Sequence, residues 1–371
     1  MVRRPSLRAR AAQWLLLLAV VAAAWYLGAN AADNLAARHM GVGFGFLGDT
    51  ANFDIPFKLI HWDDSDTYAR ALLVCTLNTL LVSAMSIVAA SLLGLVVGIM
   101  RLSTNWLVRN IALVFIELVR NTPLLVQIIF WYIAVLQTLP PPRQSIVLLP
   151  GLLLNIRGLY LPNLYSREGA GVLTLLAVLL LVATPVLWQR KLRGRRIGAW
   201  ALLSPLLAAL AFAATIARVE WPAMRGFNIA GGTQVPPELV ALWAGLSIYG
   251  AAFIAEIVRA AILSVPGGQR EAALSLGLRP GQVLARVVLP QALRVMVPPL
   301  TSQYLNIIKS SSLGAAVAYP ELFQIFAGTV LNQSGRELET IFILMVIFLT
   351  ISLLTSAFMN WYNRHVALVG R

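Results

Sequence analysis

Acidic residues, cysteine and histidine are all scarce in this chain. Its 371 residues hold 15 Asp and Glu against 29 Lys and Arg, with one cysteine and three histidines. Cys75, alone in an apolar run, excludes an internal disulfide or a Cys-x-x-Cys site and reads as a small buried hydrophobe. His39, His61 and His365 are dispersed, with no His-Glu-x-x-His, so the sequence offers no ligand set for catalytic metal chemistry. A Gly-x-x-x-x-Gly-Lys-Ser/Thr phosphate loop is also missing, so any ATP chemistry must be borrowed from another chain. The net charge of +14 falls in short runs without a basic stripe or interleaved aromatics, which argues against nucleic-acid binding.

What is abundant is oil. With 59% apolar and 12% charged residues and a mean hydropathy of +0.77, the chain is an integral membrane protein. Crossing about 30 Å of hydrocarbon at about 1.5 Å per residue takes about 20 residues. Eight candidate helices meet that length, at about 14–32, 71–99, 109–138, 170–188, 198–217, 238–263, 291–309 and 339–362. Lys and Arg cluster before the first of these, around Arg101 and Arg109, over Arg190 to Arg196, over Arg270 to Arg294, and after the last. The alternate loops carry Asp33 to Asp66, Glu168, Glu220 and Glu238, and Glu337 and Glu339. The basic loops belong in the cytoplasm, which puts both termini inside. The first span reads as a retained helix, although its basic flank and the small residues Ala29-Asn30-Ala31 also fit a secretory signal.

The expected organisation is a first helix and outer loop (1–70), two core segments (71–138 and 238–362) flanking an insertion (139–237), and a cytoplasmic tail (363–371). The insertion reads as an ordered loop over 140–168, punctuated by Pro, Gly and Asn, followed by a pair of short spans. Two inserted spans leave the downstream orientation unchanged. Gly94 and Gly98 form a Gly-x-x-x-Gly in the second span, read as internal close packing.

Between two apolar segments lies REAALSLGLRPGQVLARVVLPQAL, Arg270 to Leu293. It predicts a short helix to Gly277, a turn at Arg279-Pro280-Gly281, and a second helix from Gln282 to Leu289 that Pro290 interrupts. Ala272 and Ala273 offer a low-profile surface for another protein, and Glu271 an acid near the helix start. From composition alone an amphipathic loop lying on the headgroups fits equally well.

The spacing decides between them. Glu271-Ala272-Ala273, three residues, Gly277, nine residues, Val287, one residue, then Leu289-Pro290 resembles the EAA loop of bacterial ABC importer permeases, with Val287 in place of isoleucine. FIELVRNTPLLVQIIFWY (Phe115 to Tyr132), AAFIAEIVRAAILSVPGGQREAA (Ala251 to Ala273) and LNIIKSSSLGAAVAYPEL (Leu305 to Leu322) are similar to the polar amino-acid uptake permeases. The added first span and inserted pair resemble the enlarged permeases of general L-amino-acid importers. The chain departs from common family forms at Lys309-Ser310-Ser311-Ser312, where an acidic residue or threonine often follows the lysine.

The resemblance implies an all-α polytopic fold of about eight spans, with a type I ABC importer permease core of five helices. It implies that loop 265–290 is a coupling helix, with Glu271, Ala272, Ala273, Gly277, Leu289 and Pro290 engaging an ATPase. The implied partners are an ATPase dimer, a second homologous permease and a periplasmic amino-acid-binding protein, all in the inner membrane or at its faces. ATP and magnesium would bind the ATPase, and this chain would bind no cofactor.

Charged or polar groups inside the bilayer are the candidates for a substrate pathway. Glu256 and Arg259, at i and i+3, can pair on one helix face. Glu117 and Arg120 share that spacing but sit where snorkelling accounts for them. Thr122 and Pro123 are placed to bend the third span. Gln303, Asn306 and Ser310 are expected to share a polar face, with Lys309 meeting a substrate carboxylate and Glu256 its ammonium. An ion-driven secondary transporter is the alternative, and Glu256 is its sole candidate coupling carboxylate.

Overall fold

The computed structural model describes residues 7–37, 43–166, 173–177, 179–180, 184, 203–226 and 228–366. It is mostly helical and divides into two compact units, 1–122 with 246–371, and 123–245.

In the first unit, α1 (Leu7–Ala37) is followed by a 3₁₀ turn at Phe44–Gly48 and by α2 (Tyr68–Arg101). Thr67 starts α2 by accepting from Arg70 N through Oγ1. Its 34 residues are long and apolar enough to cross a membrane. Asn105 caps α3 (Trp106–Arg120), its Oδ1 accepting from Leu107 N at 2.9 Å and Val108 N at 3.3 Å. The helix ends at Arg120, just before Thr122, whose Oγ1 donates to Leu118 O, and Pro123. The expected interruption of the third span is therefore present.

α6 (Pro237–Leu263) crosses from the second unit into the first, and its later half packs on α2. A Cβ on Gly94 would stand 2.7 Å from Ile254 Cβ, and one on Gly98 2.8 Å from Ala255 O. The glycine pair is thus an internal close-packing seam. After α7 (Gly267–Ser275), a long helix begins as α8 (Pro280–Val283), passes through a π-turn at 284–288 and continues as α9 (Leu289–Ser310). The final helix is α10 (Glu337–Val366), with Glu337 and Glu339 in the first turn.

The loop 43–67 is not a loose tether. Phe46, Ile55 and Trp62 are buried with Cys75 of α2, Leu322 and Phe326, and Ile343 and Leu344 of α10. Next to this cluster Asn78 Nδ2 donates to Phe57 O and Pro320 O, both at 2.8 Å.

The second unit holds α4 (Leu124–Ile129), continued as a π-turn to Leu136, and α5 (Ser204–Thr215). Its described residues also form eight short strands the sequence did not lead us to expect. β1 (Ile146–Leu149), β2 (Leu152–Asn155), β3 (Gly158–Leu161) and β8 (Thr233–Val235) form an antiparallel sheet in the order β1-β2-β3-β8. β4 (Asn163–Ser166) pairs β5 (Ile216–Glu220), and β6 (Ala223–Arg225) pairs β7 (Asn228–Ala230). Pro150-Gly151 turns β1 into β2, and Asn155 to Gly158 turn β2 into β3 as tight hairpins. Around the expected span at 198–217, helix is described only over the 12 residues Ser204–Thr215, after which β5 begins. Most of the span at 170–188 lies outside the described residues.

Five described helices are long and apolar enough to cross a membrane, or six if α3 and the 124–136 segment form one broken span.

Candidate coupling segment and transport pathway

The coupling segment is anchored on one face and bare on the other. Ala273 is 4% exposed and packs with Ile262, Val265, Val283 and Val288, while Glu271 and Ala272 are exposed. This corrects the expectation that both alanines face outward. At about 100° per residue, Ala273 turns toward the protein's own core, and only Ala272 keeps the surface beside Glu271 low. Arg270 Nη2 donates to Ile262 O at 2.9 Å and ties the helix back to the end of α6.

Gly277 ends α7 through its conformation. Its φ is +79°, and nothing lies within 4 Å of where a Cβ would be, so glycine is needed for the left-handed backbone and not for space. Leu278 N donates to Ala273 O at 3.3 Å and Gly277 N to Leu274 O at 2.8 Å. These are the two bonds of a Schellman cap. Leu278 then packs against the buried cluster below.

Between Leu274 and Leu278 the cap holds Leu276 in the open, 83% exposed. Sequence reasoning missed it, because one leucine in an apolar chain carries no signal. Its meaning comes from being bare on a polar helix end.

The second helix is started by Pro280, with Gln282 Oε1 accepting from Arg279 N at 3.0 Å. Contrary to expectation, Pro290 does not interrupt it. The π-turn at 284–288 widens the helix where the proline ring would clash with a preceding carbonyl, and the helix runs on from Pro280 to Val317. Gln291 Nε2 donates to Val287 O at 2.9 Å beside the turn. Leu289 is half-buried and Pro290 exposed.

Among the pathway candidates, Glu256 and Arg259 pair as their spacing predicts. Arg259 Nε and Nη2 reach Glu256 Oε2 at 3.0 and 2.9 Å. Both side chains keep partial exposure. Glu117 instead accepts from Asn121 Nδ2, while the Arg120 guanidinium stands 5.0 Å from the Phe253 ring centroid. On α9 the polar line differs from the expected one. Gln303 is buried and Ser310 half-buried, whereas Ser302, Asn306 and Lys309 are exposed, at spacings of four and three.

A second residue that sequence reasoning passed over is Glu321, in the chain segment that joins α9 to α10 and fully buried. Its carboxylate accepts from Phe323 N at 2.9 Å and Gln324 N at 2.7 Å, capping the turn that follows. Burial pushes its pKa up to about 7, with the two backbone donors pulling the other way. Neighbouring groups lock the corner to α2. Tyr319 Oη donates to Asn78 O at 3.2 Å, and Leu322 N to Thr79 Oγ1 at 3.0 Å.

Residues 90–368 match the family described as the inner membrane component of binding-protein-dependent transport systems. The chain belongs to this family. AapQ, a general L-amino acid transport system permease protein of Rhizobium johnstonii, is 42% identical over 99% of this chain and 94% of its own length. YhdX of Escherichia coli K12, named provisionally as an amino-acid ABC transporter permease, is 46% identical over 99% of this chain and 96% of its own. BztB of Rhodobacter capsulatus, a glutamate/glutamine/aspartate/asparagine transport system permease protein, is 38% identical over 96% of this chain and 92% of its own. A crystal structure of an amino acid ABC transporter with histidines has a like fold, at 19% identity and a TM-score of 0.50. The match covers 80% of this chain and 95% of that one. The protein is a multi-pass inner membrane transport component, and the family works with an ATPase and a binding protein.

Proposed function

We propose that this permease moves L-amino acids from a periplasmic binding protein to the cytoplasm by alternating access, driven by a separate ATPase dimer. The observation that carries the reading is α7, held from beneath by Ala273 and capped by Gly277, with Glu271, Ala272 and Leu276 left bare. Such a surface suits docking into a groove on a soluble partner, where an aliphatic anchor and a charged neighbour set affinity and register. Leu289 and Pro290 lie where the coupling segment passes into α9, so a push on α7 and α8 reaches the spans through the buried Val283 and Val288.

The names of AapQ and BztB support amino acids as the substrate class. Both termini and the coupling segment face the cytoplasm in this reading, and a second permease completes the pathway. Asn306 and Lys309 are its polar wall, with Gln303 and Ser310 behind, and Glu256 meets the substrate ammonium when released from Arg259. ATP and magnesium are held by the ATPase. The access states need differ by only a few kcal/mol for nucleotide to shift their balance.

The test is uptake by proteoliposomes containing the permeases, the ATPase and the binding protein. Accumulation should require internal ATP and persist when ion gradients are collapsed. Uptake abolished by collapsing a gradient, with ATP present, would replace the reading with ion-driven transport.

A further inference from the structure

Under α7 lies a cavity of about 640 Å³, walled by residues that include Ile99, Val108, Ile262, Leu274, Val288 and Arg270. Its size is within the range of small-ligand sites. The lining is mostly apolar, Ser103 and Arg270 being its polar side chains, with no acidic residue and Arg270 as its one cation. Arg270 Nη2 is engaged by Ile262 O, but its buried Nε has no acceptor. An apolar chamber with a single guanidinium in its wall is complementary to an anionic head on a hydrocarbon tail.

The position selects the source of such a molecule. The cavity sits where α2 ends at Arg101 and α6 ends at Leu263. It is therefore at the edge of the hydrocarbon, and in the chain Arg109 follows the lining residue Val108, Arg279 precedes Pro280 and Arg286 lies between Leu284 and Val288. Basic clusters at that depth gather anionic lipid of the cytoplasmic leaflet.

We propose that this cavity takes an acyl chain of an anionic phospholipid from that leaflet, with Arg270 donating to its phosphate. This rests on the reading that α7 faces the cytoplasm. Because the walls come from α2, α3, α6, α7 and the 284–288 turn, the bound lipid ties the coupling segment to the spans. The lipid is then a ligand of the coupling machinery as well as its solvent.

The delipidated full chain, mixed with phosphatidylglycerol or with phosphatidylcholine of the same acyl chains, tests this by native mass spectrometry. Phosphatidylglycerol should be retained several-fold more, Arg270→Gln should erase that preference, and Leu274→Trp or Ser103→Trp, filling the cavity from two walls, should lower retention. Equal retention of the two lipids, or retention unchanged in both Trp variants, would overturn the proposal. Lipid retention is read without the ATPase, so its failure is distinct from a failure of ATP-driven uptake.

Discussion

Replacing Gly277 with alanine isolates the coupling segment's dependence on a single backbone conformation. The site has φ +79° and open space around it, so the added methyl clashes with nothing except its own backbone. Left-handed geometry costs an L-residue about 1–2 kcal/mol. Alanine also stiffens the unfolded segment, which returns roughly 0.4–1 kcal/mol. A net loss of about 1 kcal/mol is a factor of about 5 in the ratio of capped to frayed ends. Hydrogen exchange of Gly277 and Leu278, the two cap donors, should therefore speed up about fivefold in Gly277→Ala. Gly277→Asn should lie closer to wild type, because asparagine visits this conformation readily. ATP-driven uptake should fall in the same order. Equal exchange in Gly277→Ala and wild type, or asparagine as harmful as alanine, would refute the assignment of a cap-dependent docking surface.

Three further outcomes follow from the same structure. Leu276→Asp should leave the thermal midpoint of the isolated permease unchanged but weaken ATPase recovery by about 2 kcal/mol or more, measured by titrating the ATPase onto the purified chain. Gly98→Ala places a Cβ 2.8 Å from Ala255 O, a backbone atom that cannot swing aside, and should cost about 1–3 kcal/mol of stability. Gly328→Ala, with nothing within 4 Å, is the control, and thermal melts in detergent read both. Glu321, raised from 4.5 to about 7 by burial, binds its proton more tightly folded than unfolded. Stability should therefore decline as pH rises from 4.5 toward 7, and Glu321→Gln should flatten that slope in melts across the same range.

Legibility in the sequence tracked how local each feature's cause is. The turn at Gly277, the Glu256–Arg259 pair and the Gly94–Gly98 seam follow from spacing along one helix, and all three are present. Pro290 misled because a proline is read as a stop, whereas a π-turn ending two residues earlier lets the helix continue. The strands over 146–166 and 216–235 were hidden because runs of three to five residues punctuated by Pro and Gly look the same in a loop and in a hairpin. β3 finds its partner β8 more than seventy residues away. Ala273 and Leu276 could be told apart only by knowing which face of α7 meets the core. Glu321 gave no signal, since its burial depends on its corner being locked against α2, more than two hundred residues earlier in the chain.

The most direct test of the central claim is recovery of partners through a C-terminal tag, from native membranes in mild detergent, for wild type and Glu271→Arg. Glu271 is exposed, so the charge reversal leaves the fold intact. The account predicts that an ATPase and a second permease accompany the wild-type chain, and that the variant keeps the permease but loses the ATPase. A variant that retains its ATPase undiminished, or a wild-type chain that comes out alone, would contradict it.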